Sequence, residues 1–224
     1  MRLLTIGVLT AIALASSGAA QTVISVGPFR SVELDGGGHV IVRHGPAQRV
    51  TILEGDLQCR RIGVATNQRR VIEHAGRDCR RHERTVIEVV TPEISAISVS
   101  NGGTVGSAGT FPVQAAIEAH VEQGGAIDIR SIAADSVDAS VHSGGGIFTS
   151  PRETLTAAVE SGGVITYWGE VRVKRSVRDG GAVVRGKPAD AEKPLLDPRP
   201  RLHELPPLPP VPPVPPLPDG GGHR

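Results

Sequence analysis

The chain has 224 residues, with 24 Lys+Arg against 23 Asp+Glu and a formal net charge of +1. That length allows one large domain or two small ones, and near-neutrality disfavours duplex nucleic acid as a partner. The aromatic residues are Phe29, Phe111, Phe148, Tyr167 and Trp168 alone, so platforms for stacking bases are missing and the core falls to Val, Ile, Leu and Ala.

Met1 and Arg2 precede an apolar stretch from Leu3 to Ala15, followed by Ser16-Ser17-Gly18-Ala19-Ala20. A charged start, an apolar run and small residues before Gln21 read as a cleaved secretory signal over residues 1–20. Nothing later approaches 18 consecutive apolar residues, so no transmembrane segment is expected in the mature chain. In an oxidising compartment Cys59 and Cys79, the two cysteines, are expected to pair. Their spacing fits no zinc pattern, and no metal or cofactor is expected.

From Val23 to Val99 the chain is a succession of short β-branched runs. Val32–Leu34, His39–Val42, Val50–Leu53, Ile62–Val64, Val71–Ile72 and Val86–Val90 are separated by Gly, Pro, Asp and Asn, which predicts strands and almost no helix.

An internal repeat follows. Val99-Ser100-Asn101-Gly102-Gly103 recurs with its glycines at Gly124-Gly125, Gly144-Gly145, Gly162-Gly163 and Gly180-Gly181. After one further residue comes Val105, Ile127, Ile147, Ile165 or Val183. Spacings of about 18 to 22 residues match one coil of a β-solenoid. Paired glycines at the same place in each coil are read as corners, where the backbone turns with positive φ and successive coils stack closely. No helix pattern follows any of them, so a phosphate-cradling loop is excluded. Leu34-Asp35-Gly36-Gly37-Gly38-His39-Val40 is an earlier, isolated copy of the phrase.

The corners predict inward columns Ile117/Val137/Leu155/Val173, Ala119/Ala139/Ala157 and Val121/Val141/Val159/Val177. The alanine column runs into Arg175, which cannot be buried unpaired, so the stack is expected to open there and end near Lys187. Residues 21–187 are accordingly taken as the solenoid domain. Residues 188–224 hold 13 of the 18 prolines and read as a disordered, polyproline-II tail: a spacer, or a ligand for a partner's aromatic groove.

FRSVELDGGGHVIV from Phe29, VIEVVTPEISAISVSNGG from Val86 to Gly103 and the repeated glycine corners together resemble the head GIN domain family, also labelled auto-transporter adhesin. The resemblance covers residues 29–186, with Asn101 where Gly or Ser is commoner in the family. It implies a right-handed parallel β-helix in an exported cell-envelope protein, and it carries over no catalytic residues. No translocator-type strands follow the repeat, so the expected location is the periplasm or envelope, or the exterior by another route.

Two surfaces are candidates for function. The outward grid beside the corners gathers Glu118, His120, Glu122, Asp138, His142 and Glu160 on one sheet face. These could serve as a divalent-cation or uronate site of a polysaccharide-active enzyme, or form a solvated face of alternating charge. Between Cys59 and Arg84 lie Arg60, Arg61, Arg69, Arg70, Arg77, Arg80, Arg81 and Arg84, against Glu73, Asp78 and Glu83. That density suits phosphate or sulfate groups of an envelope glycan, or else protects a hairpin edge from aggregation. The favoured expectation is a non-catalytic binding or scaffolding module. Its alternatives are the enzyme and a structural spacer that docks a partner protein through the proline tail. The cysteine expectation is checked by thiol labelling: the exported chain should show no free thiol, and reduction should cost roughly 3 kcal/mol for a loop of about 20 residues.

Overall fold

Three consecutive residues with positive φ make the corners at 101–103, 123–125, 143–145 and 161–163, and they set the course of the chain. A computed structural model describes residues 22–24, 26–55, 60–65, 69–74 and 85–191, with the backbone alone for 60–65 and 69–74. Residues 1–20, where a leader is expected, both cysteines and the chain beyond Ala191 lie outside the described residues.

The strands, in order, begin with β1 (Thr22–Ile24), β2 (Ser31–Asp35) and β3 (His39–His44). β4 (Arg49–Glu54), β5 (Arg60–Ala65), β6 (Arg69–His74) and β7 (Val86–Thr91) follow. Then come five coils of paired strands: β8 (Ala96–Ser100) and β9 (Thr104–Ala108); β10 (Gln114–Glu122) and β11 (Ala126–Asp128); β12 (Ala134–His142) and β13 (Gly146–Thr149); β14 (Pro151–Glu160) and β15 (Val164–Tyr167); β16 (Arg172–Val177) and β17 (Ala182–Arg185). Within each coil the first strand joins an eight-stranded sheet and the second a nine-stranded one. Neighbouring coils pair in parallel throughout, so the fold is an all-β solenoid of stacked coils.

The predicted columns are in register. Ile117 pairs with Val137, Val137 with Leu155 and Leu155 with Val173, while Ala119, Ala139 and Ala157 form the narrow middle column. Facing them, Val40, Val105, Ile127, Ile147 and Ile165 are fully buried from the other sheet. Each such side chain contributes about 1.5–3 kcal/mol by leaving water.

At the corners the glycines are joined by a residue that is not glycine. Asn101, Gln123, Ser143, Ser161 and Asp179 have φ of 51° to 58°, directly before the glycine pair. Two backbone bonds lock the Gln123 turn to its neighbours. The amide of Gln123 donates to the His142 carbonyl of the next coil (3.1 Å), and the amide of Ala126 donates to the Gly103 carbonyl of the preceding one (3.0 Å). The two glycines do different work. A Cβ at Gly144 would meet nothing within 4 Å, so its φ of 89° is its sole requirement. A Cβ at Gly145 would lie 2.7 Å from the Gly125 carbonyl oxygen below and 2.7 Å from Val121.

The isolated early copy proves to be a coil of its own, intercalated out of chain order. β2 pairs with both β6 and β8, and β3 with both β7 and β9, all in parallel. Its register puts Asp35 beside Ser100 and His39 beside Thr104, so Gly36-Gly37-Gly38 stacks on Asn101-Gly102-Gly103. Asp35 accepts hydrogen bonds from Ser100 Oγ (2.9 Å) and Asn101 Nδ2 (2.6 Å), tying this coil to the first repeat. Beyond β6 and β7 the parallel stack stops: β4 adds to β7, β1 to β4 and β5 to β6, each antiparallel.

At the other end the chain does not run straight off the last coil. After Arg185 it reaches a short 3-10 turn, Pro188–Asp190, that is held by Arg130 of an earlier coil. Residues 188–191, grouped above with the tail, are thus fastened to the solenoid body.

Gly145→Ala is expected to cost several kcal/mol because strain and a backbone clash combine, while Gly144→Ala should cost about 1–2 kcal/mol from strain alone. Gln123→Gly, relieving a left-handed residue, should raise the urea midpoint.

Candidate functional site

Along the outer face of the eight-stranded sheet the predicted grid is present column by column. Glu118 lies beside Asp138, and Asp138 beside Thr156. His120 neighbours Ser140, and Glu122, His142 and Glu160 follow one another in the column nearest the corners. The contacts within the grid are mutual. His120 Nδ1 is 2.7 Å from Ser140 Oγ, with the Glu118 carboxylate 3.7 Å from its other nitrogen. Glu160 bridges two coils, taking His142 at 3.2 Å on one oxygen and Arg178 at 3.3 Å on the other. Among the described residues no group of three or more His, Cys, Asp or Glu is arranged to hold a metal ion.

The line Glu118–His120–Ser140 has the residue types of a nucleophile, its base and an orienting acid. What such a line also needs is a pair of free N–H donors for a developing oxyanion. Here the strands on both sides of Ser140 are paired in parallel, so the neighbouring amides are committed to the ladder. Glu118 is 64% exposed and His120 35%, on a flat face open to water. The arrangement is a surface hydrogen-bond ladder.

The described part of the arginine-rich segment, β5 and β6, lies at the end of its sheet away from β16. β5 is the last strand of its sheet, and its backbone sets Arg61 opposite Glu73, Val64 opposite Arg70 and Ala65 opposite Arg69. Arg60, Arg61, Arg69 and Arg70 therefore ride on two adjacent antiparallel strands at the sheet edge. Arg77, Arg80, Arg81 and Arg84, like Cys59 and Cys79, lie outside the described residues.

Sequence reasoning missed a buried ion pair on the flank of the stack. Arg130, in the turn between β11 and β12, holds Asp128 through Nε (2.9 Å) and Nη2 (2.7 Å), with side chains 7% and 11% exposed. Its guanidinium lies 4.9 Å from the centre of the Trp168 ring, two coils away. The same group donates to the carbonyls of Asp190 (2.8 Å) and Ala191 (3.2 Å), while the Trp168 indole donates to the Lys187 carbonyl (2.9 Å). Gly186 passes so close to the indole that a Cβ there would fall 2.1 Å from it. Only the spacing Asp-x-Arg hinted at this clamp. Nearby, Arg185 is hydrogen-bonded to Glu170, and that bond, with the carboxylate's charge, raises its pKa above the ordinary guanidinium value.

Removing one partner of the buried pair, as in Arg130→Ala, is expected to cost about 3–5 kcal/mol in urea denaturation. Glu160→Gln, on the exposed ladder, should cost less than about 1 kcal/mol.

No family model matches the sequence, and no curated protein does. Among solved structures the chain is similar to a putative adhesin from Bacteroides fragilis, at 16% identity and a TM-score of 0.49, over 76% of this chain and 97% of that one. It is also similar to a putative cell adhesion protein from Clostridium sporogenes, at 9% identity and a TM-score of 0.31, over 75% of this chain and 99% of the other. A putative lipid binding protein from Parabacteroides distasonis is similar at 13% identity and a TM-score of 0.30, over 75% and 96% of the two chains.

Proposed function

We propose that this is an exported cell-envelope protein acting as a non-catalytic binding module, with an anionic glycan or another anionic envelope component as its ligand. The observation that carries the reading is the placing of Arg60, Arg61, Arg69 and Arg70 on two adjacent strands at one end of the stack, within a segment of eight arginines and three acids. Guanidinium groups offer paired donors that match sulfate, phosphate and carboxylate oxygens, and a row of them grips a polyanion. The acidic outer face supports the same reading from the other side. Glu118 is engaged by His120, Glu160 is shared by His142 and Arg178, and the backbone amides are taken up by the ladder.

A polysaccharide-active enzyme is the second reading, favoured by the Glu118–His120–Ser140 line alone.

Thermal-shift titration of residues 21–224 separates the two. A sulfated glycan at 100 times its Kd should stabilise the fold by about 2.7 kcal/mol, and added salt should abolish the shift. Arg60→Glu with Arg61→Glu should remove it, while Glu118→Ala, Asp138→Ala and Glu160→Ala leave it in place. The reverse pattern, with a shift that requires a divalent cation, would overturn the binding-module reading in favour of the enzyme.

A further inference from the structure

Among the described residues no further layer covers the last coil. In β14 the inward residues Leu155, Ala157 and Val159 are each about 1% exposed. Their partners one coil on, in β16, are Val173, Arg175 and Val177. Of these Val173 is half-buried, Arg175 exposed, and Val177 42% exposed, because among the described residues no strand pairs with the far side of β16. An edge strand of a parallel sheet keeps a row of unused N–H and C=O groups along its open side.

That edge is strongly cationic. Arg172, Lys174, Arg175 and Arg178 fall within seven residues, and Arg178 alone among them is paired, with Glu160 of the coil before. Among the described residues none makes an ion pair or hydrogen bond to the side chains of Arg172, Lys174 or Arg175. Arg172 and Lys174 point outward, in the Thr154 and Thr156 columns, whereas Arg175 stands in the column that alanine fills elsewhere.

The charge discriminates among occupants. A second copy stacked end to end would bring β5, with Arg60 and Arg61, against this edge; a second copy related by a two-fold axis would bring β16 against itself. Both set like charges opposite one another, which destabilises a strand pair. The chain's own tail carries 13 prolines in residues 188–224, so no run between them exceeds six residues and each proline interrupts a ladder.

We propose that the open edge of β16 binds an acidic, extended segment of another protein, which adds to the sheet as its next strand. Backbone bonds would supply the affinity and side chains the selectivity, as in other strand-addition complexes. The register sets the pattern: acidic opposite Arg172, apolar opposite Val173, acidic opposite Lys174 and Arg175, any residue opposite Ser176, and apolar opposite Val177. This site is independent of the arginines at the other end.

The probe is a fluorescein-labelled peptide carrying the run EVEETV, titrated by anisotropy against residues 21–224. Saturable binding is expected. It should weaken about tenfold in Lys174→Glu and in Arg175→Glu, the equivalent of about 1.4 kcal/mol, and be unchanged in Arg60→Glu/Arg61→Glu. A peptide of the same charge with alternate amides N-methylated should not bind. Arg175→Ala, which restores the residue of the inner column, should weaken EVEETV and recover binding with EVEATV. Circular dichroism of each variant verifies that it is folded. Equal binding of the N-methylated peptide, displacement by dextran sulfate with no loss in the β16 variants, or no binding at all by the folded wild-type protein would each overturn the proposal.

Discussion

A single column of backbone hydrogen bonds through the second corner glycine governs this structure. The residue after each glycine pair donates to the glycine carbonyl one coil below: Thr104 to Gly38, Ala126 to Gly103, Gly146 to Gly125, Val164 to Gly145 and Ala182 to Gly163, at 2.9–3.0 Å. Since a Cβ would collide with that carbonyl, the absence of a side chain brings the corners within one strand spacing. Once the corners are fixed at that pitch, both sheets inherit it. Every side chain then falls above its equivalent, and a core of Ala, Val, Ile and Leu suffices where aromatic residues are scarce.

Stacking in register also dictates the electrostatics. Equivalent positions lie about 4.8 Å apart, so a column of one charge would repel itself along its whole length. The column nearest the corners avoids this by alternation through Glu122, His142, Glu160 and Arg178, whereas Glu118 and Asp138 stand next to each other on the open face. At the two ends there is no further coil to alternate with, and both ends are arginine-rich. Charge is thus paired along that column and concentrated at the ends, which is where recognition is most economically located on a solenoid.

Much of this was legible because a repeat prints its geometry onto sequence. Five copies of a glycine corner define the pitch, and the pitch defines the columns down to individual pairs such as Ala139 with Ala157. What escaped was non-local. The Gly36-Gly37-Gly38 corner is written in the same phrase as the others, but nothing nearby signals that its coil inserts between strands made much later in the chain. The antiparallel strands β1, β4 and β5 obey the same period of two as parallel ones, so the sequence pattern could not tell the pairing direction. Ser143 and Ser161 in left-handed conformation were masked by the more conspicuous glycines beside them. The Arg130 clamp joins residues sixty positions apart, beyond the reach of any motif.

That clamp determines how the molecule would carry load. A solenoid pulled from its final strand fails like a zip, one coil at a time, because the ladder bonds are broken in sequence. Here tension arriving through the proline-rich segment meets Arg130 and Trp168 before it reaches β17. The force enters through a buried ion pair three coils before the last, and the weakest edge is bypassed. The chain is fastened as a rope is to a cleat, so the terminal coil can stay open without being the place where the protein tears.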